Sequence, residues 1–253
     1  MYLHPSLRAT CSALALALSL ACSNMAIAQE GPSIEAAPAT EAVDMLPTGQ
    51  GVSQTVIDLA GWIKATNDTV GYPFAVIDKA NAQILVFDGN GKLRGAAPAL
   101  FGIDQGDYSD PSVAKYALKD IPQGQRTTPA GRFIGGYGPS LDAGRVLWID
   151  FDTAVSIHPT ATGVKSERRP ERLASPSPED NRITNGCINV DPDFYARVIK
   201  PTFEKGGLFF VLPEVMELAE VFPEFAQSMA TAQQKNGKRS HSGHGASEGG
   251  VSP

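Results

Sequence analysis

Cysteine and histidine are scarce in this chain of 253 residues, which has three of the first and four of the second. Cys11 and Cys22 fall in an N-terminal stretch that reads as an export signal: Arg8 supplies positive charge, Ala13 to Ala21 is apolar, and Ala26-Ile27-Ala28 before Gln29 is a small-x-small cleavage site. An exported form starting near Gln29 keeps only Cys187, which excludes a disulfide framework. His4 leaves with the signal. His241 and His244 lie in a Gly- and Ser-rich tail with only Glu248 nearby, too few ligands for a metal site, so no metal and no cofactor is expected. Basic residues are outnumbered, 21 against 27 acidic ones for a net charge of -6. A nucleic-acid partner, which calls for a basic face, is therefore not expected. No apolar run reaches the roughly 20 residues of a membrane span. The expectation is an exported chain with no stable span. A competing reading is a lipid anchor at Cys22, since Leu20-Ala21-Cys22 partly matches a lipoprotein cleavage box in which Ser19 replaces a branched apolar residue.

What is present is a body rich in short apolar runs. After the signal (1–28), residues 29–52 are rich in Ala, Pro, Glu and Gly without periodicity and read as a flexible leader. Residues 53–71 carry Val56, Ile57, Leu59, Ala60 and Ile63 near helical spacing behind Ser53 in the N-cap position. The pattern then shortens. Phe74 to Asp78 and Gln83 to Phe87 are β-branched and aromatic runs, followed by the turn Asp88-Gly89-Asn90-Gly91 and a further run from Leu93. Runs at Ala99, Gly131, Val146, Val155 and Leu208 predict more strands, and Asp193 to Lys200 a short helix. The expected architecture is a mainly β domain over residues 72–214, with a helix before it, a helical extension at 215–232 and a disordered tail at 233–253. The segment 159–183 breaks the pattern as a long, charged, Pro-containing loop, of the kind that is either functional or disordered.

The one body cysteine lies in Ile183-Thr-Asn-Gly-Cys-Ile-Asn-Val190, and the one body histidine, His158, ends the apolar run Val155-Ser-Ile-His. Cys187 has three readings: a buried inert thiol, an intermolecular bridge, or a nucleophile. A thiolate nucleophile needs a base within hydrogen-bond reach, and His158 alone can serve. An unrelated pair, one surface histidine and one buried thiol, is the plain alternative. Around the cysteine, Gly186 permits backbone conformations that let amides converge on an oxyanion, and Thr184, Asn185 and Asn189 offer short polar side chains to support the loop.

Thr184-Asn185-Gly186-Cys187-Ile188-Asn189 resembles the signature of the L,D-transpeptidase (YkuD-type) family, in which Ser or Thr, His, Gly, Cys, an apolar residue, and Asn or Arg follow one another. The run from Phe74 to Phe87, the segment Thr128-Pro129-Ala130-Gly131-Arg132-Phe133 and the strand Ser156-Ile157-His158 match further parts of the family pattern in order. The resemblance implies an L,D-transpeptidase-like β-sandwich or barrel with one or two short helices. It also implies a periplasmic enzyme acting on peptidoglycan stem peptides. Cys187 would form a thioester at stem position three and expel D-alanine, and His158 would serve as general base and acid. A neighbouring stem's amine would then complete a 3-3 cross-link. Water instead would give an L,D-carboxypeptidase or L,D-endopeptidase, and a non-catalytic wall-binding module is a further alternative. Two departures stand out. Asn185 replaces the family's second histidine, and the 159–183 insertion is longer than usual. It brings Arg168, Arg169 and Arg172 as candidate substrate-binding residues.

Overall fold

The computed structural model describes residues 51–140, 144–161 and 164–242. The chain enters through helix α1 (Gln54–Thr66), capped by Ser53, whose side chain accepts from the Val56 N–H, and stopped at Asn67 in the left-handed region. Thirteen residues make a marginal helix in isolation. Burial of Val56, Leu59 and Ile63 on one face, about 1.5–3 kcal/mol each, holds it to the sheet.

Nine strands follow: β1 (Phe74–Asp78), β2 (Gln83–Phe87), β3 (Leu93–Gly102), β4 (Gly131–Ser140), β5 (Gly144–Asp150), β6 (Val155–Pro159), β7 (Arg182–Thr184), β8 (Ile188–Val190) and β9 (Gly207–Val211). Their order is β2-β1-β9-β4-β5-β6-β8-β3-β7, and a further β2–β3 pairing closes the sheet into a barrel, with β7 attached to β3. Two long strands make the closure by changing partners along their length. β3 pairs with β2 up to Pro98, then with β8 at Ala99 and Leu100, then with β7. β4 pairs with β9 over Gly131–Gly135 and with β5 from Gly136 onward. At that crossing a Cβ on Gly135 would lie 2.3 Å from the Trp148 carbonyl oxygen, so only glycine fits.

β1, β2 and β9 are buried along their whole length because both faces are covered. Ala75, Ile77, Ile84, Val86, Phe209 and Val211 point into the barrel. Phe74, Val76, Leu85, Phe87, Leu208 and Phe210 point outward into a second core shared with α1 and with Phe222 and Phe225 near the C-terminal end. That two-sided burial is why these strands read as unbroken apolar runs.

Several expectations change. The runs from Leu93 and from Ala99 are one strand, continuous through Pro98. β7 and β8, three residues each, were not expected and flank the cysteine directly. The Asp193–Lys200 helix lies within a longer helical stretch formed by α3 (Pro192–Phe194), a π-helical turn Tyr195–Ile199 and α4 (Lys200–Thr202). The 159–183 insertion is not structureless: it contains α2 (Arg169–Leu173) and two 3-10 turns, Lys165–Glu167 and Pro178–Asn181. After α5 (Leu218–Val221), helix α6 (Pro223–Ser242) runs past residue 233, where a disordered tail was expected to begin. The good helix formers Ala230, Ala232, Gln233 and Gln234 carry it across that point. The signal, the leader up to residue 50, Cys22 and the tail beyond 242 lie outside the described residues. Among the described residues no helix is long and apolar enough to cross a membrane.

Candidate active site

β6 and β8 lie side by side and parallel, with Ile157 opposite Ile188 and His158 opposite Asn189. Side chains alternate along a strand. Ile157 and Ile188 therefore enter the barrel core, while Ser156 and His158 on one strand and Cys187 and Asn189 on the other share the opposite face. The parallel register thus joins two groups that stand far apart in the chain.

Cys187 is half-buried. Its Sγ lies 3.6 Å from Ser156 Oγ and 3.7 Å from the Ala154 carbonyl oxygen, an acceptor for the thiol proton. Burial pushes the thiol up, but the His158 imidazole, helped by the Ser156 hydroxyl and N–H, outweighs it and holds Cys187 below the ordinary thiol range. Burial in turn pushes the imidazole down, and Cys187 overcomes it with help from the Pro159 carbonyl, so His158 lies above its ordinary value despite opposition from Arg169. His158 Nδ1 is 3.0 Å from the Pro159 carbonyl oxygen. A carbonyl only accepts, so Nδ1 carries a proton and Nε2 is the basic atom of the neutral ring.

The turn bearing Cys187 is stapled by two threonines. Thr184 Oγ1 donates to the Cys187 carbonyl at 2.6 Å and accepts from the Gly186 N–H at 3.2 Å. Thr128 Oγ1 donates to the Gly186 carbonyl at 2.7 Å and accepts from the Gly102 N–H at 3.0 Å, tying the turn to β3. Gly186 sits at φ 121°, and a Cβ there would come within 3.0 Å of the Thr127 carbonyl oxygen. Thr128 is in turn fixed by Lys79, whose buried Nζ donates to its carbonyl at 2.8 Å.

The residues singled out from sequence separate here. Asn189 is buried, with its Nδ2 3.0 Å from His158 Nε2 and its Oδ1 accepting from Arg169. Asn185 is exposed at the tip of the turn. Of the three arginines, Arg169 reaches the site. Arg172 instead holds the insertion together through the Glu167 and Asp180 carbonyls at 2.8 and 2.7 Å. Arg168 is exposed, with only a 4.0 Å approach to Glu171. Sequence reasoning passed over Ser156 and Lys79 as site residues and used Thr128 only as part of a motif. The signal for Ser156 was its place two residues before His158, on the same strand face. Among the described residues no cluster of His, Cys, Asp and Glu is placed to hold a metal.

No family model and no curated protein sequence matches the chain. Solved structures do. An L,D-transpeptidase from Xylanimonas cellulosilytica is similar at 14% identity and a TM-score of 0.35, over 56% of this chain and 60% of that one. The helical cell shape determining protein Pgp2 from Campylobacter jejuni is similar at 14% identity and a TM-score of 0.39, over 62% and 56%. The catalytic domain of the E. faecium L,D-transpeptidase is similar at 18% identity and a TM-score of 0.30, over 56% and 97%. The match spans only 58% to 60% of the length of the Xylanimonas protein and of two further L,D-transpeptidases. The chain resembles solved L,D-transpeptidases over a little more than half of its length.

Proposed function

We propose that this chain is a cysteine-dependent L,D-transpeptidase of peptidoglycan, forming 3-3 cross-links between stem peptides through a thioester on Cys187. The observation that supports this most is the meeting of the thiol and the imidazole on one face of the β6–β8 pair, each shifting the other toward its charged form. In this reading His158 Nε2 takes the thiol proton as Sγ attacks the carbonyl at stem position three. The same proton then leaves on the amine of D-alanine, and the thioester remains. The amine of a second stem attacks the thioester, gives its proton to Nε2, and frees the thiol as the new amide forms.

The developing oxyanion would draw on the amides of Gly186 and Cys187, which requires the Gly186 N–H to give up its bond to Thr184 Oγ1. Arg168, exposed and with only a 4.0 Å approach to Glu171, would be the arginine of the insertion left to meet a substrate carboxylate, since Arg169 and Arg172 are already engaged. The export signal read in residues 1–28 fits a periplasmic site of action.

Mass spectrometry of the full exported chain incubated with disaccharide tetrapeptide tests the reading, with Cys187→Ala alongside. The expected product is a tetra-tri dimer that is absent with the variant. Tripeptide alone would make the chain an L,D-carboxypeptidase, in which water rather than an amine resolves the thioester. Unchanged tetrapeptide and unchanged pre-formed 3-3 dimers would overturn thioester chemistry.

A further inference from the structure

The imidazole of a thiol–imidazole pair acts only while it is turned toward the sulfur. In this chain its orientation is decided partly outside the sheet. Asn189 faces His158 across the β6–β8 pair, with Nδ2 3.0 Å from Nε2 and 3.4 Å from Nδ1. A side-chain amide can present either its NH2 or its oxygen to such a neighbour. Arg169 removes the choice. A guanidinium has five N–H donors and no acceptor, so the Asn189 atom it meets has to be Oδ1, and the NH2 is turned to the ring.

The consequence appears when the proton moves. Once Nε2 is protonated it needs an acceptor. An amide turned the other way would offer Oδ1 to that proton and compete with the Cys187 thiolate for the imidazolium. With Oδ1 held by Arg169, the thiolate has no rival from Asn189 for that proton, and the NH2, within reach of both ring nitrogens, yields the Nε2 lone pair when the thiol proton arrives.

Arg169 is itself held by the insertion. Its Nε donates to Glu167 Oε2 at 2.6 Å while Nη1 serves Asn189, so the two prongs of one rigid fork join the loop to the sheet. The side chains of Arg169 and Glu167 are 15% and 30% exposed. Arg172 ties the Glu167 carbonyl to that of Asp180, Leu173 is buried, and Asn181 Nδ2 donates to the Ala99 carbonyl at 3.0 Å. The loop that carries the fork is thus tied to itself by Arg172 and to β3 by Asn181.

We propose that Arg169, braced by Glu167, is a positioning residue that fixes the amide of Asn189 and through it the His158 imidazole, making the 159–183 insertion part of the apparatus that activates Cys187. The inference rests on the reading of Cys187 and His158 as the reacting pair. Arg169 acts without touching substrate. The charged or titratable groups acting on His158 are Cys187 on the β8 side and Arg169 from the insertion, with Glu167 partnering the latter. Charge and position make opposite predictions. If Arg169 acted by charge alone, its removal would raise the proton affinity of the imidazole and strengthen the thiolate pair. If it acts by position, its removal weakens the pair.

The test is the rate of alkylation of Cys187 by iodoacetamide across pH in the full exported chain, for the wild type, Arg169→Ala, Arg169→Lys and Glu167→Gln, with His158→Ala as the reference for an unassisted thiol. Arg169→Ala is expected to lose about tenfold in rate near neutral pH and to converge on the wild type in base, as a thiol raised by about one pKa unit does. Arg169→Lys keeps the charge but not the fork and is expected to match Arg169→Ala. Glu167→Gln, which keeps the arginine and loosens only its brace, is expected to fall between and guards against a variant that fails to fold. In turnover of tetrapeptide, kcat falls while KM holds. An Arg169→Ala profile equal to or faster than wild type, full activity in Arg169→Lys, or a raised KM with an unchanged alkylation profile would each overturn the proposal. If wild type and His158→Ala themselves titrate alike, it is the reading of the pair that has failed, and the role of Arg169 falls with it.

Discussion

Two polar clusters lie against the same barrel, and they are built to opposite ends. Around Lys79 every hydrogen-bonding demand is met: its three ammonium protons go to the Gly106 carbonyl at 2.6 Å, Asp107 Oδ1 at 2.7 Å and the Thr128 carbonyl at 2.8 Å. Asp107 accepts in addition from the N–H groups of Glu214, Val215 and Met216. Both side chains are essentially inaccessible, at 0% and 1%. Around Cys187 the Sγ contacts are 3.6 Å to the Ser156 hydroxyl and 3.7 Å to the Ala154 carbonyl, and the half-buried thiol and imidazole each shift the other toward its charged form. A saturated buried cluster resists change and makes structure, whereas one whose titratable groups shift each other and stay partly open to solvent is where chemistry is favoured. The two are linked, because Lys79 holds the carbonyl of Thr128 and the Thr128 hydroxyl holds Gly186.

The sharpest way to break the contrast is Asp107→Ala. It removes the nearer of the two carboxylates beside the buried ammonium, leaving Glu214 at 3.5 Å, strips three N–H groups of their acceptor, and should cost about 3–5 kcal/mol in denaturant unfolding. Burial pushes the Asp107 carboxyl up, but Lys79 and the three N–H groups outweigh it and bring it below the ordinary range. Its contribution is thus present above the ordinary carboxylate pKa and lost as pH falls through the lowered value. Wild type should show that acid-side loss of stability and the variant should lack it.

Thr128→Val comes next. It removes the hydroxyl that joins the two clusters, leaves the Gly186 carbonyl and the Gly102 N–H without it, and should cost about 1–3 kcal/mol. The joint is real if Cys187 alkylation slows as well. A purely thermal effect would make Thr128 part of the Lys79 cluster alone.

The smallest effect in energy is His158→Ala. Without the imidazole, burial raises the thiol toward or above its ordinary range, so alkylation should drop about tenfold or more near neutral pH, about 1.4 kcal/mol, with little change in melting temperature. Equal rates across the pH range would make Cys187 an ordinary buried thiol.

How much was legible follows from the range of each signal. β1, β2 and β9 could be read because burial on both faces makes an apolar run, and α1 because Ser53 caps an amphipathic stretch. His158 and Cys187 stood out by scarcity and by the motif around the cysteine. β7 and β8 did not, since three residues are too few to show a period. Lys79 is a residue type that is almost never fully buried unless paired, and its partner Asp107 gives no local sign of the pairing. Arg169 was one of three neighbouring arginines, and nothing local distinguished the one that reaches Asn189.

The sequence by itself determined that the body is a mainly β domain with a covering helix, and that a single thiol and a single imidazole are available to it. These are properties of composition and of local periodicity, carried by residues adjacent in the chain. The tertiary structure alone decided that the thiol and imidazole share a face, that Nε2 is the basic nitrogen, that Thr128 and Lys79 stand behind the turn, and that the insertion reaches back to Asn189. Each depends on a parallel register or on a buried polar pairing between distant segments. Such pairings form only when the barrel closes, because desolvation makes them necessary only then.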